Sequence, residues 1–144
     1  MEVIPGVGTD LVQFGVTESE ACVLLGSPDK VYTTDGNNKR LQFNETRLEL
    51  SFEPDNDERL GWIEVHNPNA KLYEMNVIGM KQDAIIELVT NSLNEKPIFD
   101  DYDSFISVSY DNNWIELQFE FGCLRNINLG VLYDESENPI WPNT

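Results

Sequence analysis

The chain has 144 residues, 40% of them hydrophobic, so it is long and apolar enough to bury a core and is not a disordered chain. Nine Lys and Arg oppose 26 Asp and Glu, and the formal net charge of −17 opposes binding to nucleic acid or anionic membranes. The same charge favours a cationic protein partner, although it equally suits an acidic protein that merely stays in solution.

The sequence contains no targeting or membrane-spanning signal. No apolar run approaches the ~18 residues that a membrane-spanning helix needs, and the N-terminal residues lack the basic and apolar regions of a signal peptide. We therefore expect a cytoplasmic protein, unless a leader has been removed. Cys22 is predicted on a helix and Cys123 on a strand, and both fit small buried hydrophobic residues better than a disulfide or metal pair.

In chain order, the first predicted element is a helix with a start signal, an apolar stripe and a stop signal. Thr17 and Glu20 match a capping box, T-x-x-E, which satisfies free backbone N–H groups at a helix start. Gly26 and Pro28 then end the helix, after about nine residues. Its predicted apolar face consists of Ala21, Leu24 and Leu25.

A hairpin and a third strand are predicted after this helix. The hairpin pairs residues 40–43 with 47–53 around a turn at 44–46, where Asn tolerates a left-handed conformation. The third strand has apolar residues at Leu60, Ile63 and Val65. Because this spacing breaks strict alternation, it indicates a bulge between Leu60 and Ile63.

The hairpin sequence then recurs without a gap: residues 41–53 return as 108–120, at an offset of 67. The identical residues are Glu49, Leu50, Phe52 and Glu53, which return as Glu116, Leu117, Phe119 and Glu120. Every apolar position of the alternating stripe is matched. The recurrence predicts two copies of one unit within a single domain, over about residues 12–66 and 77–131, joined by a connector over 67–76.

The second unit repeats the other elements at an offset of 64. Its helix is less well capped and is predicted to run to about Leu93, with an apolar face of Ala84, Ile85, Leu88, Val89 and Leu93. Its hairpin pairs 105–110 with 114–121, and its third strand carries Leu124, Ile127 and Leu129. We therefore predict an α+β fold of two tandem helix–strand–strand–strand repeats, with helices on one face of an antiparallel sheet and the other face polar and open.

Period-2 alternation assigns the strand residues to the two faces. The face toward the helices is predicted to carry Leu41, Phe43, Leu48, Leu50, Phe52, Val108, Tyr110, Ile115, Leu117, Phe119 and Phe121. The open face is predicted to carry Gln42, Arg47, Glu49, Ser51, Glu53, Trp62, Glu64, His66, Ser107, Ser109, Trp114, Glu116, Gln118 and Glu120.

Residues 14–28, FGVTESEACVLLGSP, resemble the G-hydrophobe-T-x-x-E…L-G-x-P opening of the β-lactamase-inhibitor-protein and small outer-membrane lipoprotein superfamily. The resemblance implies a helical segment followed by an antiparallel sheet, carried in tandem by the inhibitor proteins, which bind their targets through the open sheet face. The second half matches only at Gly79 and in its apolar spacing, and no lipoprotein cysteine is present. In its small, acidic, binding-only character the chain is also similar to bacterial polymorphic-toxin immunity proteins.

Two tryptophans among carboxylates would form a recognition surface, because aromatic rings bury area and carboxylates accept bonds from Arg. The predicted partner-binding residues are Glu49, Glu53, Trp62, Glu64, His66, Trp114, Glu116, Gln118 and Glu120. The alternative is that both tryptophans cover sheet edges or lie under the connector, and that the carboxylates are only solvated strand residues. Our leading hypothesis is an inhibitor: an immunity protein that occludes a basic toxin, with nucleases among the candidate targets. The alternative is a structural or adaptor module in an envelope or other assembly.

No sequence feature indicates catalysis or a metal site. His66 is the only histidine, and no nucleophile elbow or phosphate-binding glycine loop is present. Acidic loops at 53–58 and 100–103 lack the glycine and distal glutamate of a calcium-binding EF-hand loop. We therefore predict a non-enzyme without cofactor or metal, in which these loops steer the partner through Asp55, Asp57, Glu58, Asp100, Asp101 and Asp103.

Overall fold

A computed structural model describes residues 1–142 of the chain. In chain order its elements are β1 (Val3–Ile4), β2 (Gly8–Thr9), α1 (Glu18–Leu25), β3 (Lys30–Thr33), β4 (Lys39–Phe43), β5 (Leu48–Glu53), a 3-10 turn (Pro54–Asn56), β6 (Arg59–Val65), β7 (Lys71–Leu72), β8 (Met75–Asn76), α2 (Gln82–Leu93), β9 (Ile98–Asp101), β10 (Ile106–Tyr110), β11 (Ile115–Glu120) and β12 (Cys123–Gly130). Eight strands form an antiparallel sheet in the order β3-β4-β5-β6-β12-β11-β10-β9, and β1–β2 and β7–β8 form small separate pairs. The fold is α+β and mostly sheet.

Helix α1 begins and ends where the sequence predicts. The Thr17 hydroxyl accepts a bond from the Glu20 N–H, the Glu20 carboxylate accepts one from the Thr17 N–H, and Gly26 ends the helix at a φ of 89°. Ala21 is buried and Leu25 packs against the core. The prediction for Leu24 is wrong, because its side chain is 57% exposed. An eight-residue helix makes only about two turns, which leaves room for few inward positions.

Helix α2 runs to Leu93, as predicted, and Asn94 ends it in the left-handed region at a φ of 52°. Lys81 stands at its start without a side-chain cap. Ile85 and Val89 are buried, and Leu88 and Leu93 pack against the core. Ala84 is exposed, so its placement on the inward face is wrong.

Both hairpins and both third strands lie within a residue or two of their predicted positions, but each set has one strand more than predicted. The additional strands, β3 and β9, form the two edges of the sheet. Strand β9 contains Asp100 and Asp101, which the sequence placed in a loop. All four residues of β9 are exposed, so its sequence lacks the apolar alternation that identifies a half-buried strand.

The strands of the two halves correspond position by position. Strands β4 and β10 have bounds that differ by 67 residues, as do β5 and β11. Both third strands carry a bulge. Gly61 is the extra residue where β6 pairs with β5, and Arg125 is the extra residue where β12 pairs with β11. These two residues are 64 positions apart. The bulge predicted between Leu60 and Ile63 is therefore confirmed.

Each helix is anchored to the sheet in the same way. The N–H of Gly15, before α1, donates to the Leu60 carbonyl at the start of β6. The N–H of Gly79, before α2, donates to the Leu124 carbonyl at the start of β12. Gly15 and Gly79 have similar positive φ values, 98° and 89°, which glycine adopts at low cost.

The apolar face is buried as predicted, apart from one residue. Leu41, Leu50, Val108, Tyr110 and Leu117 have no measurable exposure, and the other predicted residues except Phe121 are at most 3% exposed. Phe121 was predicted to face the core, but it is 103% exposed and has a φ of 52° in the turn between β11 and β12. That turn carries the side chain away from the core.

The remaining elements all pack on the apolar side of the sheet. Val3 of β1, Leu72 of β7 and the buried residues of both helices belong to one hydrophobic cluster with the inward strand residues. The connector contains the β7–β8 pair. The opposite, polar face therefore has no second layer among residues 1–142. Neither helix in this part of the chain has the length and apolar character to cross a bilayer.

Candidate functional site: the polar face of the sheet

The strand register places one residue from each strand in a row across the polar face. In spatial order this central row consists of Lys30, Gln42, Glu49, Glu64, Asn128, Glu116, Ser109 and Ile98. Glu64 pairs directly with Asn128 where the two halves meet, at strands β6 and β12. Three of the predicted partner-binding carboxylates, Glu49, Glu64 and Glu116, are thus brought into one line.

In the first half, Glu49 and Glu64 share one arginine. Arg40 Nη1 lies 2.6 Å from Glu49 Oε2 and 2.6 Å from Glu64 Oε2. We call these three residues the arginine cluster. The Tyr32 hydroxyl and the Gln42 amide also donate to Glu49, which is only 8% exposed. Glu49 is therefore an internally bonded residue, whereas the sequence placed it on an open surface.

Within the arginine cluster, the electrostatics favour the charged forms of Arg40 and Glu64. Burial by itself raises the pKa of Glu64, but hydrogen bonds from His66, Arg40 and Trp62 outweigh burial and lower that pKa to about 2. Burial by itself lowers the pKa of Arg40, yet the bonds to Glu64 and Glu49 raise it above its ordinary value. Burial, reinforced by the bond to Glu49, raises the pKa of Tyr32. The ion pair of Arg40 with Glu64 is consequently stable at neutral pH.

In the second half, Glu116 is held by neutral donors. The Ser107 hydroxyl lies 2.6 Å from Glu116 Oε2, and Asn128 Nδ2 and Gln118 Nε2 lie 2.8 Å and 3.2 Å from Oε1. We call these four residues the glutamate cluster. Asn126 extends it, because its amide nitrogen donates to Asn128 Oδ1 at 3.0 Å.

Trp62 and Trp114 contact each other beside the two clusters. Their ring centroids are 5.9 Å apart and their planes are at 88°, an edge-to-face arrangement. Trp62 Nε1 also donates to Glu64 at 3.3 Å. Trp114 was predicted to begin a strand, but it lies in the turn before that strand, at a φ of 48°. Its ring packs over Gly130, and the side chain is 46% exposed. Neither ring is covered by the connector, whose elements pack on the apolar side.

The short side chains of this face are buried rather than displayed. Ser51 and Ser107, which were predicted to be open, are 1% and 2% exposed, and Asn126 and Asn128 are 1% and 4% exposed. Strands lie only about 4.8 Å apart, so longer neighbours cover short side chains between them. The polar face is therefore closely packed, with exposure concentrated on its larger side chains.

The other predicted site residues lie around these clusters. His66 Nε2 is 3.4 Å from Glu64 Oε1, and the His66 side chain borders a groove of about 400 Å³ with Arg47 and Gln42. Glu120 ends β11 and binds Arg125 at 3.1 Å. Glu53 ends β5, and burial, with the nearby charge of Asp55, raises the pKa of Glu53. The six predicted steering residues are all exposed: Asp55, Asp57, Glu58, Asp100, Asp101 and Asp103.

Sequence reasoning missed Arg40, Asn126 and Asn128. All three could have been assigned to the polar face by alternation, since Arg40 is two residues from Gln42 and the asparagines flank the inward Ile127. Both cysteines are free and half-buried. Within residues 1–142, no group of three or more His, Cys, Asp or Glu side chains is arranged to hold a metal ion.

Comparison with solved structures shows proteins of similar fold. No family model and no curated protein sequence matches the chain. The structure is similar to that of an extracellular protein containing a SCP domain from Bacillus anthracis, with a TM-score of 0.55 and 13% identity over 79% of this chain. This chain spans 42% of that protein. It is also similar to a DUF4309 family protein (YjgB) from Bacillus subtilis, with a TM-score of 0.51 and 16% identity over 87% of each chain.

Proposed function

We propose that this chain is a non-catalytic binding protein that inhibits a basic bacterial toxin, in the manner of an immunity protein, by occluding the toxin's functional surface. The observation that supports it most is the polar face of the sheet, which no other element within residues 1–142 covers and which presents an aromatic pair beside carboxylates. Aromatic anchors and carboxylates are suited to a partner rich in Lys and Arg, with nucleases among the candidate targets. In this proposal the chain has no catalytic residue and needs no cofactor.

The required affinity indicates how the surface would work. A sub-nanomolar complex needs about 12 kcal/mol or more. Exposed ion pairs contribute at most ~1 kcal/mol each, so Trp62 and Trp114 must supply much of the binding free energy. The net charge of −17 and the exposed acidic loops accelerate the encounter with a basic partner.

We also propose that the two halves are tandem repeats within one domain, over about residues 12–66 and 77–131, with 67–76 as the connector. The matched strand bounds, bulges and helix anchors support this proposal. The kinship with the β-lactamase-inhibitor-protein superfamily stays a prediction from residues 14–28. We place the protein in the cytoplasm, where a cell would need protection from a delivered toxin.

Co-expression with the proteins encoded in the adjacent reading frames, tested one at a time as candidate toxins, tests the proposal. The wild-type chain should restore growth and co-purify with one of them. Trp114→Ala should reduce growth rescue far more than Glu135→Ala, a change in an exposed loop. Failure of the wild-type chain to rescue growth, or equal rescue by both variants, would count against binding through this face.

The second candidate is a structural or adaptor module in an envelope or other protein assembly. It is favoured by the structural similarity to a protein described as extracellular. Fractionation of the native cell separates the two proposals, since an envelope module would accumulate outside the cytoplasm and would give no protection against a co-expressed toxin.

A further inference from the structure

The two halves of the polar face treat equivalent glutamates differently. Glu49 and Glu116 are equivalent at the offset of 67, and so are Arg40 and Ser107. Glu49 therefore receives a guanidinium at 2.6 Å, whereas Glu116 receives a neutral hydroxyl at the same distance. Where the first half has Glu64 in the central row, the second half has Asn128.

This difference decides which carboxylates are available to a foreign cation. A partner's Lys or Arg that approached Glu49 or Glu64 would meet the positive charge of Arg40, already in contact with both. Glu116 takes part in none of the ion pairs found within residues 1–142. On the polar face, its charge is thus held without a cation.

Glu116 also has a free acceptor position. An ionised carboxylate offers about four lone-pair sites. Glu116 accepts three hydrogen bonds, two at Oε1 and one at Oε2, so Oε2 can accept one more. The three donors fix the side chain in one orientation. A partner would therefore lose little conformational entropy of this chain on binding, which is the advantage of a preorganised site.

The position of Trp114 also favours a partner here. Trp114, two residues before Glu116, is 46% exposed and lies over Gly130 on the same face. A cation beside Glu116 can lie against this indole in a cation–π contact.

We infer that Glu116 and Trp114 form the point at which a basic protein partner inserts a lysine or arginine side chain, whereas Glu49 and Glu64 stabilise the sheet and do not pair with the partner. This inference rests on the proposed function. Of the equivalent pair, Glu49 is then a structural residue and Glu116 a recognition residue.

Calorimetric titration of single variants with the toxin domain that the wild-type chain neutralises in co-expression tests the inference. Glu116→Gln keeps the side-chain shape and should weaken binding about tenfold or more, with little change in the midpoint of thermal unfolding. Glu49→Gln, at the equivalent position, should lower the unfolding midpoint and change the Kd less than about threefold. If Glu116→Gln does not fold, Ser107→Ala is the alternative variant. It keeps the charge of Glu116 but removes the hydroxyl that donates to Glu116 Oε2, and it should weaken binding about threefold.

The outcomes distinguish the inference from the function on which it rests. No binding by the wild-type chain overturns both. Tight wild-type binding that Glu116→Gln leaves unchanged, or that Glu49→Gln weakens equally without loss of stability, overturns the inference alone.

Discussion

The indoles of Trp62 and Trp114 meet edge to face across the seam between the two halves of the sheet. Trp62 belongs to β6, and Trp114 to the turn before β11. Gly130 of β12 lies between them: it pairs with Trp62, and its N–H donates to the Trp114 carbonyl at 2.9 Å. The aromatic pair therefore depends on the missing side chain of this glycine.

Replacement of Gly130 by alanine should displace Trp114. The new Cβ would lie 3.0 Å from Trp114 Cε3 and 3.1 Å from Cδ2, closer than carbon atoms normally pack. We expect Gly130→Ala to lower the free energy of unfolding by about 1–2 kcal/mol in a urea titration. In a Trp114→Ala background the same change should cost about 1 kcal/mol less.

Gly36→Ala is the matched control for that experiment. Its Cβ would find only side-chain atoms, at 3.9 Å and 4.0 Å, so the unfolding free energy should stay within about 0.5 kcal/mol. Strictly additive effects of Gly130→Ala and Trp114→Ala would show that the steric conflict does not involve the indole.

Removal of Arg40 should strongly destabilise the protein. Arg40→Met would leave the carboxylates of Glu49 and Glu64 side by side and largely out of water, with side chains only 11% and 23% exposed. We expect a loss of about 3 kcal/mol in chemical denaturation. Adding Glu49→Gln and Glu64→Gln should recover part of this loss, because the repulsion then disappears.

The neighbouring Lys39 provides the control for Arg40. Lys39 Nζ lies 2.8 Å from Glu18 Oε2, but the two side chains are 45% and 39% exposed. Lys39→Met should therefore cost less than about 1 kcal/mol. Equal losses for the two variants would contradict the structural importance of the arginine cluster.

Much of this fold could be predicted from local signals, because strands β4, β5, β10 and β11 each alternate apolar and polar residues between turn residues. The edge strands β3 and β9 could not, since their conformation depends on pairing with β4 and β10 rather than on a buried face of their own. Phe121 was misplaced for a related reason. A strand pattern that ends on an aromatic residue gives no local sign that the turn begins one residue earlier.

The polar face shows the same division between local and long-range information. Alternation correctly grouped Glu49, Glu64 and Glu116 on one face. It did not reveal that Arg40 bridges the first two, because that contact needs the mutual register of β4, β5 and β6. Nor did it reveal the orientation of Trp114, which depends on the left-handed turn and on Gly130.

The capping box of α1 should contribute measurably to stability. The Glu20 N–H donates to the Thr17 hydroxyl at 3.3 Å, and the hydrogen bond from the Thr17 N–H lowers the pKa of the Glu20 carboxyl. We expect Thr17→Ala to lower the unfolding free energy by about 1 kcal/mol. Ser19→Ala, at an exposed position within the same helix, should have little effect, and a comparable loss there would argue against the cap.

The low pKa of Glu64 predicts how stability falls in acid. The folded-state pKa of about 2 lies below the ordinary value of 4.5, so the contribution of Glu64 is complete above about pH 4.5 and is lost as the pH falls through 2. Linkage sets this contribution at about 3 kcal/mol at neutral pH. The gap in unfolding free energy between wild type and Glu64→Gln should therefore be constant above about pH 5 and should narrow steadily from pH 4.5 to 2. Glu135→Gln removes the same charge from an exposed loop and serves as the control. A gap for Glu64→Gln that does not change with pH would show that its hydrogen bonds with Arg40, Trp62 and His66 do not favour the ionised form.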